Sequence, residues 1–189
     1  MKGIIFNLFE DVVTDQLGEA AWDELVDAAQ VEGGYTAIGA YSDAEFLQLL
    51  RCLPDAETRT MPDTLRWFGL LAMGRLTTIY PGFFEPHTTT TSFLLTLNDI
   101  IHPAVRCLYP GADVPVFEFT HVPAADGGGL IVHYRSVRRL CHLAEGFVQG
   151  AAAYYLETAV VEQHQCMLDG APECLMSCTF SSARPRAQH

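Results

Sequence analysis

The sequence predicts an α+β fold, with a helical N-terminal lobe packed on a C-terminal lobe of antiparallel sheet and helices. Three observations predict it. Apolar residues recur at helical intervals as far as about position 108, and after Pro115 they alternate in short runs. One helical run rich in Gly and Ala, Leu140 to Thr158, interrupts those short runs.

Phe6 to Ala29 carries Leu8, Val12, Val13, Leu17, Ala21, Trp22, Leu25 and Val26 at helical spacing, with Gly18 marking a turn, so two helices are expected. Ser42-Asp43-Ala44-Glu45 reads as the capped start of a helix from Ala44 to Cys52 that Pro54 ends, and Pro62-Asp63 opens another through about Leu76. Thr88 to Thr91 leads into a helix from Ser92 to Leu108 that holds His102 directly before Pro103. The proline removes the donor that would bond back to Asp99 and favours a kink there. Strands are expected at Val116 to His121, Leu130 to Arg138, Ala159 to Gln165 and Cys174 to Phe180, with Asp126 to Gly129 as a hairpin loop. Residues 184–189 read as a frayed tail. The rest, residues 1–183, reads as one domain with a helical lobe at about 1–60 and an α/β lobe at about 61–183.

With 189 residues, 49% of them apolar, the chain can bury a substantial core. Its 11 basic and 23 acidic residues give a net charge of −12, which repels phosphate backbones and anionic lipid surfaces. Nucleic-acid and membrane partners are therefore disfavoured. No apolar run approaches a bilayer span and no signal-peptide layout is present, so a cytoplasmic protein is expected. In that compartment cysteines at 52, 107, 141, 166, 174 and 178 are not a disulfide framework.

Two groups of residues carry chemistry. In Tyr134-Arg135-Ser136-Val137-Arg138, a phenol, a hydroxyl and a guanidinium recur every second residue, so an extended strand would point all three to one face. Such a face suits an anion, and Arg138 can grip a carboxylate through two parallel bonds. The second group is His164, Cys166 and Cys174, with a turn containing Asp169-Gly170 between the two cysteines. This is a zinc-site spacing, for which Cys141 is the favoured fourth ligand and Cys178 the alternative. Cys52 and Cys107 are left as packing residues.

From Met1-Lys2-Gly3-Ile4-Ile5, through His102 and Pro115, to the Tyr-x-Ser-x-Arg segment, nearly the whole chain resembles the heme nitric-oxide/oxygen-binding (H-NOX) family, related to the heme domain of soluble guanylate cyclase. The resemblance implies heme b between the two lobes. It implies His102 as the proximal iron ligand, Tyr134, Ser136 and Arg138 as propionate ligands, and Pro115 pressing on the macrocycle. The position of the distal tyrosine of oxygen-binding members, five residues after Arg138, is Leu143 here, and that of its supporting polar residue is Ala72. Ile5, Phe9 and Leu76 complete the expected apolar pocket, with His142 one residue from Leu143 as the only nearby polar group considered. The resemblance therefore implies a bacterial sensor of nitric oxide and carbon monoxide that holds oxygen poorly. It would signal by breaking the bond between iron and His102, to a separate partner such as a histidine kinase or a cyclic-dinucleotide enzyme. A subset of the family carries zinc on Cys and His, its histidine falling where this chain has Gln163. A heme-independent zinc, thiol-redox or small-molecule sensor, resembling the vinyl reductase type of ligand-binding domain, is the competing class. An enzyme is not expected, because the pocket offers no clear acid or base for oxygen activation.

Overall fold

The computed structural model describes residues 1–54, 58–123 and 128–182. Four helices come first: α1 (Gly3–Leu17), α2 (Ala20–Ala29), α3 (Asp43–Arg51) and α4 (Met61–Ile79). Each start and stop has a local cause. Gly18, at φ 103°, ends α1. The Ser42 hydroxyl accepts the Ala44 amide at the head of α3, and Thr60 accepts that of Asp63 at the head of α4, where Pro62 occupies the first turn. A 3₁₀ turn (Pro81–Phe83) follows.

The helix expected from Ser92 to Leu108 is three pieces: α5 (Thr90–Leu94), a π-helical turn (Leu97–Ile101) and α6 (His102–Leu108). Ile101 N donates to Thr96 O, five residues back, and the wider turn places Pro103 at the head of a new helix instead of inside an old one. The expected kink is thus resolved by a one-residue bulge directly before His102.

The C-terminal half holds β1 (Val116–Val122), β2 (Gly129–Arg135), α7 (Cys141–Tyr154), β3 (Glu157–Gln165) and β4 (Cys174–Ser182). The strands form one antiparallel sheet in the order β1-β2-β4-β3. Its inner face (Phe117, Leu130, Val132, Tyr134, Cys174, Met176) packs with Ala144, Val148 and Ala151 of α7 in one core. A second core joins α1, α2 and α3 through Phe6, Phe9, Phe46 and Leu49, and reaches along α4 to Leu65, Phe68 and Ala72. α4 therefore belongs to both cores, with Met73 in the first and Leu76 packed against each.

Strand β2 is shorter than expected. It ends at Arg135, so Ser136 and Arg138 do not continue its face. Ser136 Oγ accepts the Arg138 amide at 3.2 Å and its carbonyl accepts that of Arg139, which stands at φ 53°. A local side-chain turn has outcompeted the ladder. The tail, residues 184–189, and the first two residues of the expected hairpin loop, 126 and 127, lie outside the described residues.

α4 and α7 cross at backbone contact. A Cβ on Gly69 would lie 2.5 Å from Leu143 O, one on Gly146 2.3 Å from Arg66 O, and one on Gly150 2.6 Å from Leu70 O. No side chain fits between the helices there. Gly146→Ala should cost about 1–3 kcal/mol in chemical denaturation, because the crossing must open. Gly74→Ala, on α4 with open space around it, should be neutral or stabilise by up to ~1 kcal/mol through helix propensity.

Candidate functional site: an apolar cavity with a buried imidazole

Between the two cores lies a cavity of about 300 Å³. Ile4, Ile5 and Leu8 of α1, Met73 and Leu76 of α4, and Leu143, Ala144, Phe147 and Val148 of α7 line one side. Leu97, Ile101, His102 and Val105, Pro115 and Phe117, and Val132, Tyr134, Ser136 and Arg138 line another. Partly open and mainly apolar with a few convergent polar groups, it has the character of a cofactor site.

His102 is brought to it by the junction of the π turn and α6. The turn is anchored to the sheet, since Asn98 Nδ2 donates to Phe117 O and Asn98 Oδ1 accepts Phe117 N. The His102 ring stands 5.8 Å from that of Phe117, and its Nδ1 is buried without a hydrogen-bond partner. Burial, aided by the charge of Arg106 and weakly opposed by the Pro115 carbonyl, pushes its pKa down to about 4. A neutral imidazole on an apolar wall is in the state that binds a metal.

The Tyr-x-Ser-x-Arg residues meet at the same cavity, although only Tyr134 reaches it from the strand. Burial raises the Tyr134 phenol to about 12, so it stays a donor. Arg138 Nε lies 3.0 Å from Asp43 Oδ2, at the head of α3, and its Nη1 3.2 Å from Asp113 Oδ2. The arginine already holds carboxylates from two sides of the cavity mouth.

Several expected pocket residues are placed differently. Ile5, Leu76, Leu143 and Pro115 line the cavity, but Phe9 and Ala72 are fully buried in the helical core and do not. Phe9 meets Phe46, Phe68 and Trp22 edge-on, and Ala72 belongs to the same core. His142 is turned away from the cavity lining: its Nδ1 lies 3.1 Å from Arg66 Nη2 and 3.4 Å from Glu145 Oε2. Tyr80 and Tyr109 also line the cavity, which the sequence reading missed, and their hydroxyls bond each other.

The second expected site is assembled in part. Cys141 Sγ lies 3.7 Å from Cys166 Sγ, and Cys174 Sγ 4.0 Å from Cys166 Sγ, all three buried. Tetrahedral zinc with Zn–S bonds of about 2.3 Å spaces its sulfurs about 3.8 Å apart, so the Cys141–Cys166 and Cys166–Cys174 spacings each suit neighbouring ligands of one ion. Main-chain amides already point at the sulfurs, Met167 N at Cys174 (3.2 Å) and Leu168 N at Cys166 (3.4 Å). Burial raises Cys174 and pushes Cys141 up to about 12, so without a cation these are thiols. His164 is not part of the cluster: it faces the opposite side of β3, where Nε2 lies 2.9 Å from Ser177 Oγ. The pairing of β3 with β4 slips between Gln163 and Gln165, and His164 is exposed at that irregularity. Cys178 lies in the sheet opposite Leu130 and lines the cavity, so Cys141 is the third thiol. Cys107, expected to be a packing residue, is exposed.

An apolar cavity walled by a buried imidazole, with Tyr134 and Arg138 also on its lining, is the kind of site a cofactor-binding domain carries. A family model described as haem-NO-binding matches residues 2–163, and the chain belongs to this family of heme-based gas sensors, as a sensor domain and not an enzyme. No curated protein matches it. Among solved structures it is similar to an H-NOX protein from S. oneidensis in the Fe(II)NO state (27% identity, TM-score 0.87, 96% of this chain and 100% of that one). It is also similar to the unliganded Fe(II) H-NOX protein from K. algicida (28% identity, TM-score 0.81, 96% and 97%). An oxygen-binding H-NOX domain, at 18% identity and TM-score 0.78, shares the fold. Among the described residues no helix is long and apolar enough to cross a membrane.

Proposed function

We propose that this chain is a heme-based sensor of nitric oxide that also takes carbon monoxide and holds oxygen poorly. The observation that carries this reading is that Ile5, Leu8, Leu76, Leu143 and Phe147 line the cavity, while the Tyr80 hydroxyl is taken up by Tyr109 and Glu145 by Arg66. His102 would hold the iron, and Tyr134, Ser136 and Arg138 the propionates, with Asp43 and Asp113 yielding Arg138 to them. Pro115 would press on the macrocycle from the His102 side. Bound there, heme b would supply an iron able to take nitric oxide or carbon monoxide.

The chain supplies the coupling. His102 caps the π turn that Asn98 ties to β1, so movement of the imidazole reaches both α6 and the sheet. Arg138 joins the sheet side to Asp43 of the helical lobe, so a shift at the propionates reaches α3. A ligand moves such an equilibrium only as far as its affinity differs between the two states. The output is read by a separate cytoplasmic signalling protein, a histidine kinase or a cyclic-dinucleotide enzyme. Zinc held by Cys141, Cys166 and Cys174 completes the reading, supported by the 3.7 and 4.0 Å sulfur spacings. The competing class, a heme-independent thiol or small-molecule sensor, is separated from it by one spectrum.

The purified protein should show a Soret band that shifts when nitric oxide meets the ferrous form, and His102→Gly should lose it unless imidazole is supplied. Failure to retain heme after expression with ample heme would instead favour the heme-independent class. Leu143→Tyr, placing a hydroxyl on the apolar wall, should raise oxygen affinity by about tenfold or more, read from oxygen titration of the ferrous protein. Metal analysis should find about one zinc per chain, lowered in Cys174→Ala and retained in His164→Ala.

A further inference from the structure

The three thiols leave one corner of a zinc tetrahedron to be filled. Gln163, beside the Cys141 thiol, turns its buried amide Nε2 to no oxygen or nitrogen acceptor, and an amide is a poor zinc ligand beside thiolate and imidazole. His164 faces Ser177 on the other side of the strand. Cys178 belongs to the cavity wall.

Another histidine stands at the cluster. One ring nitrogen of His142 and the sulfurs of Cys141 and Cys166 all lie within 4.8 Å of one another. We propose, building on the zinc reading above, that His142 is the fourth ligand, so that in this chain the nitrogen corner has moved from β3 to the first turn of α7. Both Cys141 and His142 then come from one helix start, and Cys166 and Cys174 from the turn joining β3 and β4. The ion staples α7 to that turn.

The surroundings of His142 suit a ligand. Its Nδ1 faces Glu145 Oε2 at 3.4 Å, leaving Nε2 for the ion. A ligating histidine ordinarily gives its other N–H to a carboxylate or carbonyl, which fixes the tautomer and strengthens the bond to the metal. Glu145 is that carboxylate.

The same arrangement links the ion to α4. Arg66 Nη2 lies 3.1 Å from His142 Nδ1, and since a guanidinium only donates, Nδ1 must accept and the ring proton sits on Nε2. With Nε2 on zinc the ring proton moves to Nδ1, which turns to Glu145 and no longer accepts from Arg66. Arg66 Nε keeps its bond to Glu145. Zinc occupancy therefore changes the polar seam between α4 and α7, beside the cavity wall.

X-ray absorption at the zinc edge of the full, heme-loaded chain tests this without interference from heme. The expected shell is three sulfurs and one imidazole, the imidazole scattering being lost in His142→Ala and kept in His164→Ala. Chelator competition should show His142→Ala binding Zn²⁺ at least ~10-fold more weakly, and Glu145→Gln about 10-fold more weakly. His142→Cys should restore tight binding with four sulfurs, which guards against a fold lost in the alanine variant. An imidazole signal that survives in His142→Ala, or a shell unchanged in His142→Cys, overturns the assignment while leaving zinc in place. Absence of zinc from the wild-type protein after loading overturns the zinc reading and this one together.

Discussion

The backbones of α4 and α7 touch where Gly69, Gly146 and Gly150 leave no side chain between them, and both cores are arranged around that crossing. α4 sends Phe68 and Ala72 into the helical core and Met73 toward the sheet. α7 starts at Cys141 and His142, presents Leu143 to the cavity, and buries Glu145 against Arg66. Because the helices are already in backbone contact, they cannot close further, and the space left between the cores becomes a cavity. The crossing positions the cavity, the thiol cluster and the ion pair between the helices together.

A cavity this apolar gains nothing from water and is a place where polar groups need a reason to stand. Its few polar groups are grouped by role. His102 is kept neutral by burial at one wall, and Tyr134, Ser136 and Arg138 stand near the mouth, with Asp43 and Asp113 balancing the guanidinium. Among the described residues, Arg138 links the sheet side to the helical lobe through Asp43. That contact is one side chain on another, while the α4–α7 contact is backbone on backbone.

Much of the fold was legible from periodicity: three N-terminal helices, α4, α7 and all four strands begin and end within a few residues of where apolar spacing, caps and prolines put them. The failures are specific. Tyr134, Ser136 and Arg138 alternate as a strand does, but Ser136 accepts the Arg138 amide and ends the strand, a competition that residue spacing does not reveal. The π turn adds one residue to a helix without disturbing its apolar pattern, so a single helix was the natural reading. Phe9 and Ala72 belong to helices buried on more than one side, where periodicity shows that a face is buried but not what it meets. His164 falls where the pairing of β3 slips between Gln163 and Gln165, an irregularity that residue spacing does not reveal. His142 was weighed only for the cavity and not for the thiols next to it.

The central claim is that His102 holds an iron whose release carries the signal. Resonance Raman spectroscopy of the ferrous protein tests it directly through the stretching mode of the bond between iron and imidazole. The account predicts that this mode is present in the unliganded ferrous protein, absent in His102→Gly, and lost when nitric oxide is added. A mode that persists with nitric oxide bound, or one that survives in His102→Gly without added imidazole, would contradict it.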